Sequence, residues 1–370
     1  MCLSRIHDSK KRMSSATPLV SVVMPCFNAG PMLRPALLSV LEQTYPNIEI
    51  IFVDNNSADG SLAIAEEIAQ TTSRQFHITT CAAQGANNAR NWGYDLARGD
   101  FIQWMDADDW LDPDKIALQV AALQRQPTDD IAYCDWTARQ IEKGKLVSEK
   151  RHSLGQVRDQ VRRALSMIWY PPHLYLLRRG AAQQLQDVQG WWPARKVGTD
   201  VEYSAIAAML GLHFRYVAHA HVRYNVWSAS QISGSTPYRD RAATFAEIFL
   251  RLRQFAKSDQ VKASLTYRHK VLLDQSWDLW RMPPELMILT KLTGRRFRLR
   301  HVRTGREIEL RPREAAIANS LLGASHAMTS SDYAVLITQT IPEIVDDCVA
   351  VVETIQRFQR EGFMALVSTD

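Results

Sequence analysis

Long apolar runs are missing from this chain. Nowhere does its sequence hold the roughly 18 successive apolar residues that a membrane-spanning helix needs. The opening MCLSRIHDSKKRMSSATP is polar and basic and lacks the apolar stretch of a secretory signal. Cysteine is sparse. The five (Cys2, Cys26, Cys81, Cys134 and Cys348) are scattered without CxxC spacing, which speaks against a zinc site or a disulfide frame and for reduced thiols in a cytoplasm. No internal repeat and no low-complexity tract is present. Charge of one sign is only mildly in excess: 44 Lys and Arg face 39 Asp and Glu, a net +5 over 370 residues. That bias suits nucleotide sugars, phospholipid surfaces or nucleic acid, and selects none of them. Hydrophobic content of 46% is ordinary for a globular chain, and the length suits two or three domains.

What is present is an alternation of strand and helix signals. LVSVVMPCF and IEIIFVD are short, continuously apolar, β-branched runs, the pattern of strands buried on both faces. HITTCA, FIQWMD and IAYCDW are three further strand candidates. Between them lie helical stripes: Leu33, Leu37, Val40 and Leu41; Leu62, Ala65, Ile68 and Ala69; GANNARNWGYDLARG; and Ile116, Val120 and Leu123 after Pro113. Strands separated by such helices predict βαβ units and a mostly parallel sheet, an α/β fold. Ligands of such sheets sit beyond the carboxyl ends of the strands. Phe27 and Asn28 end the first strand, Asp54 the second, and Asp106 and Asp108 the fourth. Three strands therefore deliver polar ends to one rim.

The stretch FIQWMDADDW sharpens this. Asp106, Asp108 and Asp109 crowd three carboxylates into four positions, an arrangement that is cheap only if they are solvated, paired or bound to a cation. Asp109 reads either as a cap for the following helix or as a direct participant.

Taken together, VSVVMPCFNAG, IEIIFVDNNSADGS and GANNARNWGYDLARGDFIQWMDADDW resemble, in order and spacing, the inverting glycosyltransferases of family 2, of the GT-A type. The resemblance covers about residues 18–235. It implies a Rossmann-like GT-A sheet flanked by helices and a nucleotide-sugar donor, with uracil as the expected base. Pro25, Phe27, Asn28, Asp54, Arg90 and Asp106 would line the donor site. Asp108, with Asp106, would hold Mg2+ or Mn2+. In VGTDVEYSAIAAMLG the resemblance assigns the catalytic base to Asp200, with Thr199 where the family usually has a first acid; a cap for the helix is the other reading of Asp200. HAHVRYNVWSASQIS resembles the family's segment that closes over the diphosphate. Arg223 and Ser228 or Ser230 match it loosely, and Trp227 stands about where a His is expected. His219 and His221 are weak candidates for a third metal contact. Trp191 and Trp192 either stack an acceptor sugar or pack, and His173 reads as a satisfied core histidine with acceptor contact as the other reading.

The remainder is less regular. Phe245, Ile248, Leu252 and Phe255 share a helical spacing, and MPPE at 282–285 interrupts it. FRLRHV and EIEL flank the turn RTGR as a hairpin. REAAIANSLL and EIVDDCVAVVETIQRF read as helices, together similar to a small α+β winged-helix module. The expected division is a basic, disordered 1–17, a transferase domain 18–235, a helical segment 236–290 and the module 291–370. With its acidic second helix the module is a poor reader of DNA, so nucleic acid is not an expected partner. A peptide or protein partner, or dimerisation, fits it better. The acceptor would be a surface glycan, a lipid-linked intermediate or a peptide, reached from the cytoplasm with at most peripheral membrane association. Two other readings stand beside this one. A nucleotidyltransferase would need a Gly-rich, basic loop after the first strand, and PCFNAGPML has a single glycine. A catalytically silent nucleotide-sugar sensor with a winged-helix output would bind without turnover.

Overall fold

The structure, a computed structural model, describes residues 17–165, 170–194, 198–227, 247–248, 250–273, 280–281, 287–291, 296–301, 307–322, 353–355, 357–358, 360–361 and 364–366. The apolar runs become β1 (Val20–Cys26), β2 (Ile48–Asp54), β3 (Gln75–Thr80) and β4 (Phe101–Trp104). They pair in parallel in the order β3–β2–β1–β4. Both faces are covered, by α1 (Leu33–Leu41), α2 (Ser61–Thr71), α3 (Ala86–Leu96) and their neighbours, so β1, β2 and β4 are buried along their whole length. Helix α3 lies unusually close to the sheet. A Cβ on Gly93 would meet Val23 Cγ1 at 2.5 Å, so only glycine lets this helix carry Arg90 to the sheet rim.

Further along come β5 (Trp110–Leu111), α4 (Lys115–Arg125), β6 (Ile131–Glu142), β7 (Lys145–His152), α5 (Gln160–Leu165), β8 (Leu176–Arg178), α6 (Arg179–Val188), α7 (Thr199–Met209) and β9 (Phe214–Trp227). Here the sheet turns mixed. β8 runs antiparallel between β4 and β6, β9 pairs in parallel with β6, β5 lies antiparallel on β9, and β7 folds back on β6. The result is the expected mixed, mostly parallel sheet flanked by helices.

The later residues partly lean on this domain. Ile248 and Leu252 are buried, while Phe245 and the 282–285 interruption lie outside the described residues. Backbone N–H groups of Lys262 and Ala263 donate to the Met209 carbonyl at the end of α7, at 3.0 and 3.1 Å. His269, on α8 (Tyr267–Leu273), meets Asp159 at 2.8 Å. Beyond the short β10 (Trp280–Arg281), the strands β11 (Met287–Lys291), β12 (Phe297–His301) and β13 (Glu307–Leu310) form an antiparallel sheet followed by α9 (Pro312–Leu322). The hairpin and first helix of the tail thus stand as expected. Of the second helix, residues 353–355 and 357–358 are described and helical, and β14 (Ala365–Leu366) pairs with β10. On β12, Arg298 and Arg300 face Glu307 of β13 at 3.4 and 3.6 Å, pairs that offset much of the strand's positive charge.

Candidate active site

Strand register places the predicted residues on one rim. Cys26 aligns with Asp54, and Asp54 with Thr80, so β1 to β3 end level. Val23 aligns with Trp104, so the acidic turn follows from the same edge. With strands ~4.8 Å apart, Asp54 and the acidic turn stand two strands, roughly 10 Å, from each other.

One half of the candidate site is built around β1 and β2. Asn28 takes a left-handed backbone with φ +50°, its N–H donates to Ser57 Oγ at 3.0 Å, and its side-chain oxygen accepts from Ala58 N–H at 2.8 Å. This locks the two loops together and leaves Phe27 52% exposed. Asp54 is 4% exposed; its Oδ2 accepts from Ser57 N–H at 3.2 Å, while Oδ1 has no hydrogen-bond partner. A buried oxygen so left is costly unless a ligand satisfies it. Asn55 was not singled out from sequence. Its amide spans the rim to the Cys81 and Ala83 carbonyls, both at 2.8 Å, and accepts from Gly85 N–H at 2.6 Å, fixing the loop that starts α3.

Helix α3 joins this half to the acidic turn. Arg90 donates from Nη2 to Asp106 Oδ1 at 2.6 Å and from Nη1 to Asn87 Oδ1 at 3.1 Å. Arg90 is thus ion-paired with Asp106. Asp108 is half-buried; burial, then the neighbouring Asp106, push its carboxyl up to about 7. Asp109 is fully buried and is held well above the usual carboxylate range by burial, Asp108 and Asp106.

Asp109 does not cap the next helix. Its Oδ1 accepts from Asn225 N–H on β9 at 2.7 Å, α4 begins only at Lys115 after Asp114, and the Asn225 side-chain amide donates to the Asp108 carbonyl at 2.6 Å. The acidic turn is stapled to β9 because β5, directly after it, pairs with that strand. Nor is His173 a satisfied core histidine. It is fully buried, neither ring nitrogen has an aligned hydrogen-bond partner, and Nδ1 lies 3.2 Å from Asp109 Oδ2, off the alignment a hydrogen bond needs. Burial lowers its pKa to about 3, so the ring is neutral near pH 7, the form that ligates metals.

Among the described residues, Asp106, Asp109 and His173 bring one ligand atom each within 4.8 Å of one another. Carboxylates crowded enough that Asp106 raises the pKa of Asp108 and Asp109, beside unpaired buried acceptors, fit a hard divalent cation. The other histidines lie elsewhere: His221 Nε2 contacts Thr137 Oγ1 at 2.9 Å, and His219 is exposed at φ +69°. Arg223 pairs with Asp112 at 3.0 Å, and Ser228 and Ser230 lie outside the described residues.

The remaining part of the candidate site is α7. Gly198, at φ +74°, turns the chain into the helix, and Asp200 stands in its first turn. Burial raises the Asp200 carboxyl to about 7; its own turn's N–H and Arg90 pull it down, and Asp106 pushes it up. Arg90 and Asp106 are thus electrostatic neighbours of Asp200. Tyr224, which sequence reasoning passed over, has its hydroxyl pKa raised by burial and by the fields of Asp109, Asp108, Asp106 and Asp200 together. The acidic turn and the first turn of α7 thus both act electrostatically on this one phenol. Trp191 is packed, not open: it is 1% exposed and stacks on Tyr203 of α7 at 4.3 Å and 5°. Trp192 is partly exposed, with the Arg251 guanidinium 3.3 Å over its ring and Arg251 bonded to Glu202 at 2.8 Å.

Comparison with known proteins agrees with this geometry. The profile described as glycosyl transferase family 2 matches residues 21–186. An uncharacterized glycosyltransferase of Haemophilus influenzae is 36% identical over 138 residues, 36% of this chain and 54% of that protein. The uncharacterized glycosyltransferase YibD of Escherichia coli is 34% identical over 131 residues, 35% of this chain and 37% of its own length. The chain thus spans about half or less of these curated relatives. Among solved structures, S. aureus TarS 1–349 in complex with UDP-GlcNAc aligns over 69% of this chain and 70% of its own, with TM-score 0.52 and 14% identity. The mannosyltransferase PcManGT of Pyrobaculum calidifontis, in complex with GDP-Man and Mn2+, aligns over 94% and 88%, with TM-score 0.51 and 18% identity. Residues 21–186 thus match glycosyl transferase family 2, and the sheet that holds them has the GT-A fold of these neighbours.

Proposed function

We infer that the chain transfers a sugar from a UDP-sugar to an acceptor hydroxyl with inversion, assisted by Mg2+ or Mn2+. The observation that carries this reading is the placement of Asp54, at the end of β2, and of Asp106 and Asp108, just after β4, on one sheet rim, with an unpaired buried oxygen on Asp54 and with Asp200 of α7 in the field of Asp106. That oxygen accepts a ring N–H of the base, and the exposed Phe27 beside Asn28 and Pro25 offers the base an apolar face. A ring N–H exists in both uracil and guanine, and the two structural neighbours hold UDP-GlcNAc and GDP-Man, so base identity is the first property to test.

Asp106, oriented by Arg90, faces the ribose or the cation. Asp108 and Asp106 would hold the cation, with Asp109 and His173 close to Asp106 as further donors, and a bound cation would offset the charge that grows on the departing diphosphate. Asp200 takes the proton of the acceptor hydroxyl as its oxygen attacks the anomeric carbon from the side opposite the diphosphate. The new C–O bond forms while the old one breaks, so the centre inverts. A carboxyl poised near 7 suits that task, being about half ionised at neutral pH while still basic.

The acceptor is a glycan, a lipid-linked intermediate or a peptide, with residues 291–370 recruiting it or a protein partner, in the cytoplasm or peripherally at the inner face of the membrane. No helix among the described residues is long and apolar enough to cross a membrane. Release of UDP from UDP-sugars, against GDP- and dTDP-sugars, with and without Mn2+, tests the reading. Turnover with no sugar nucleotide under any of these conditions refutes it.

A further inference from the structure

Helix α3 turns one polar face to the residues just before the base helix. Asn91 accepts from Trp191 N–H at 2.9 Å and donates to the Trp191 carbonyl at 2.7 Å, while Asn87 donates to the Trp192 carbonyl at 2.8 Å. Arg90 lies between these asparagines in sequence, with its guanidinium carbon 4.5 Å from the Trp191 ring centroid. Tyr203, stacked at 4.3 Å and 5°, fills one face of that indole, which leaves the opposite face to Arg90. Trp104, the last residue of β4 before the acidic turn, meets Trp191 edge-on at 5.5 Å and 86°, and Tyr203 at 6.1 Å and 89°. All three rings are buried.

We propose that Trp191 is a positioning residue that couples the donor-facing Arg90–Asp106 pair to the helix bearing Asp200. This rests on the transferase reading above. The guanidinium has two tethers in its plane, Asn87 and Asp106, and the indole beneath it is the platform that keeps that plane level. The other face of the same indole sets where Tyr203, one turn into α7, sits. A shift of Arg90 tilts the indole, and the indole carries α7 with it. In a densely packed aromatic cluster such displacements are transmitted and not absorbed. Because a misplacement near 1 Å at a reacting centre costs about 100-fold in rate, this stack sets the distance between base and donor.

The test is hydrogen–deuterium exchange on the full chain, followed over the α7 amides, in a cycle of Arg90→Gln and Trp191→Leu. Arg90→Gln is expected to speed exchange in α7 at least fivefold, and to add less than twofold once Trp191→Leu is present. The field of Arg90 on Asp200 is a separate route that survives loss of the indole, so the dependence on Trp191 isolates packing. Unchanged α7 exchange in Arg90→Gln overturns the proposal, as does an effect that persists undiminished in Trp191→Leu. The cycle is repeated with Tyr203→Leu, which cuts the same link from the α7 side and leaves Trp191 in place if Trp191→Leu does not fold. These outcomes do not depend on turnover. An inactive parent chain therefore counts against the transferase reading alone. With an active parent, Trp191→Leu is expected to lower transfer kcat about tenfold more than donor hydrolysis; a merely structural role would lower both together.

Discussion

The pH dependence of transfer follows from the burial of Asp200. Its carboxyl stands near 7 in place of 3.8, with burial as the main cause. The base works ionised, so kcat/KM rises with pH through about 7, gaining roughly tenfold between pH 6 and pH 8. Asp108 also stands near 7 without a cation. Saturating Mn2+ lowers that group, since a nearby opposite charge favours the carboxylate, and moves the Asp200 limb in the same direction, toward lower pH. The same shift has a consequence for stability. A folded pKa raised above its unfolded value means that ionisation costs the folded state. The contribution is full below about pH 4 and is lost as pH rises through 7. Asp200→Asn removes that cost and should stabilise the protein at pH 8 by up to about 4 kcal/mol while abolishing transfer. The assays are initial rates from pH 5.5 to 8.5 under saturating Mn2+, and denaturant midpoints of both proteins at pH 5 and pH 8. A flat profile, a limb that persists in Asp200→Asn, or a variant less stable than the parent at pH 8 refutes the reasoning.

Asp54→Ala removes the unpaired buried acceptor and should weaken nucleoside diphosphate binding about 10- to 100-fold, as expected for a buried hydrogen bond to a charged group; an unchanged titration would put the base elsewhere. Asp108→Ala should erase the gain in donor affinity that Mn2+ gives, and retained metal-dependent affinity would move the cation site. Asn225→Leu removes the amide that bonds the Asp108 carbonyl and should cost about 2 kcal/mol of stability while raising the Mn2+ concentration for half-activation; thermal melts and a metal titration check both. Truncation after Met282 keeps the Arg251, Lys262 and His269 contacts to the first domain and should preserve donor hydrolysis, whereas loss of hydrolysis would make the tail structural.

Much of the fold was legible because the parallel strands announce themselves. β1, β2 and β4 are continuous apolar runs, and βαβ spacing fixes their direction. β5 and β8 have two and three residues, too few for any periodicity, and β7 reads KLVSEKRH, an exposed strand with the look of a loop. The insertion of β8 antiparallel between β4 and β6 is a non-local choice that no run of residues encodes. In the site, the acidic turn was visible through its charge density and Asp54 through its place at a strand end. Asp109 with His173 was not, since they meet only when the short 3-10 turn Pro172–Leu174 packs against β4 and β6. Trp191 was ambiguous for a related reason: whether an indole lies open or stacked depends on Tyr203 and Arg90, which its neighbours in sequence do not reveal.

The central claim is that these acids, on separate strands, hold one diphosphate through a cation. Calorimetric titration of UDP into the parent chain, Asp54→Ala and Asp108→Ala, each with and without Mn2+, addresses it most directly. The account predicts at least tenfold tighter binding with Mn2+ in the parent, no such gain in Asp108→Ala, and a weaker but still metal-dependent isotherm in Asp54→Ala. Equal affinity with and without Mn2+ in the parent, or two variants that bind as the parent does, would contradict it.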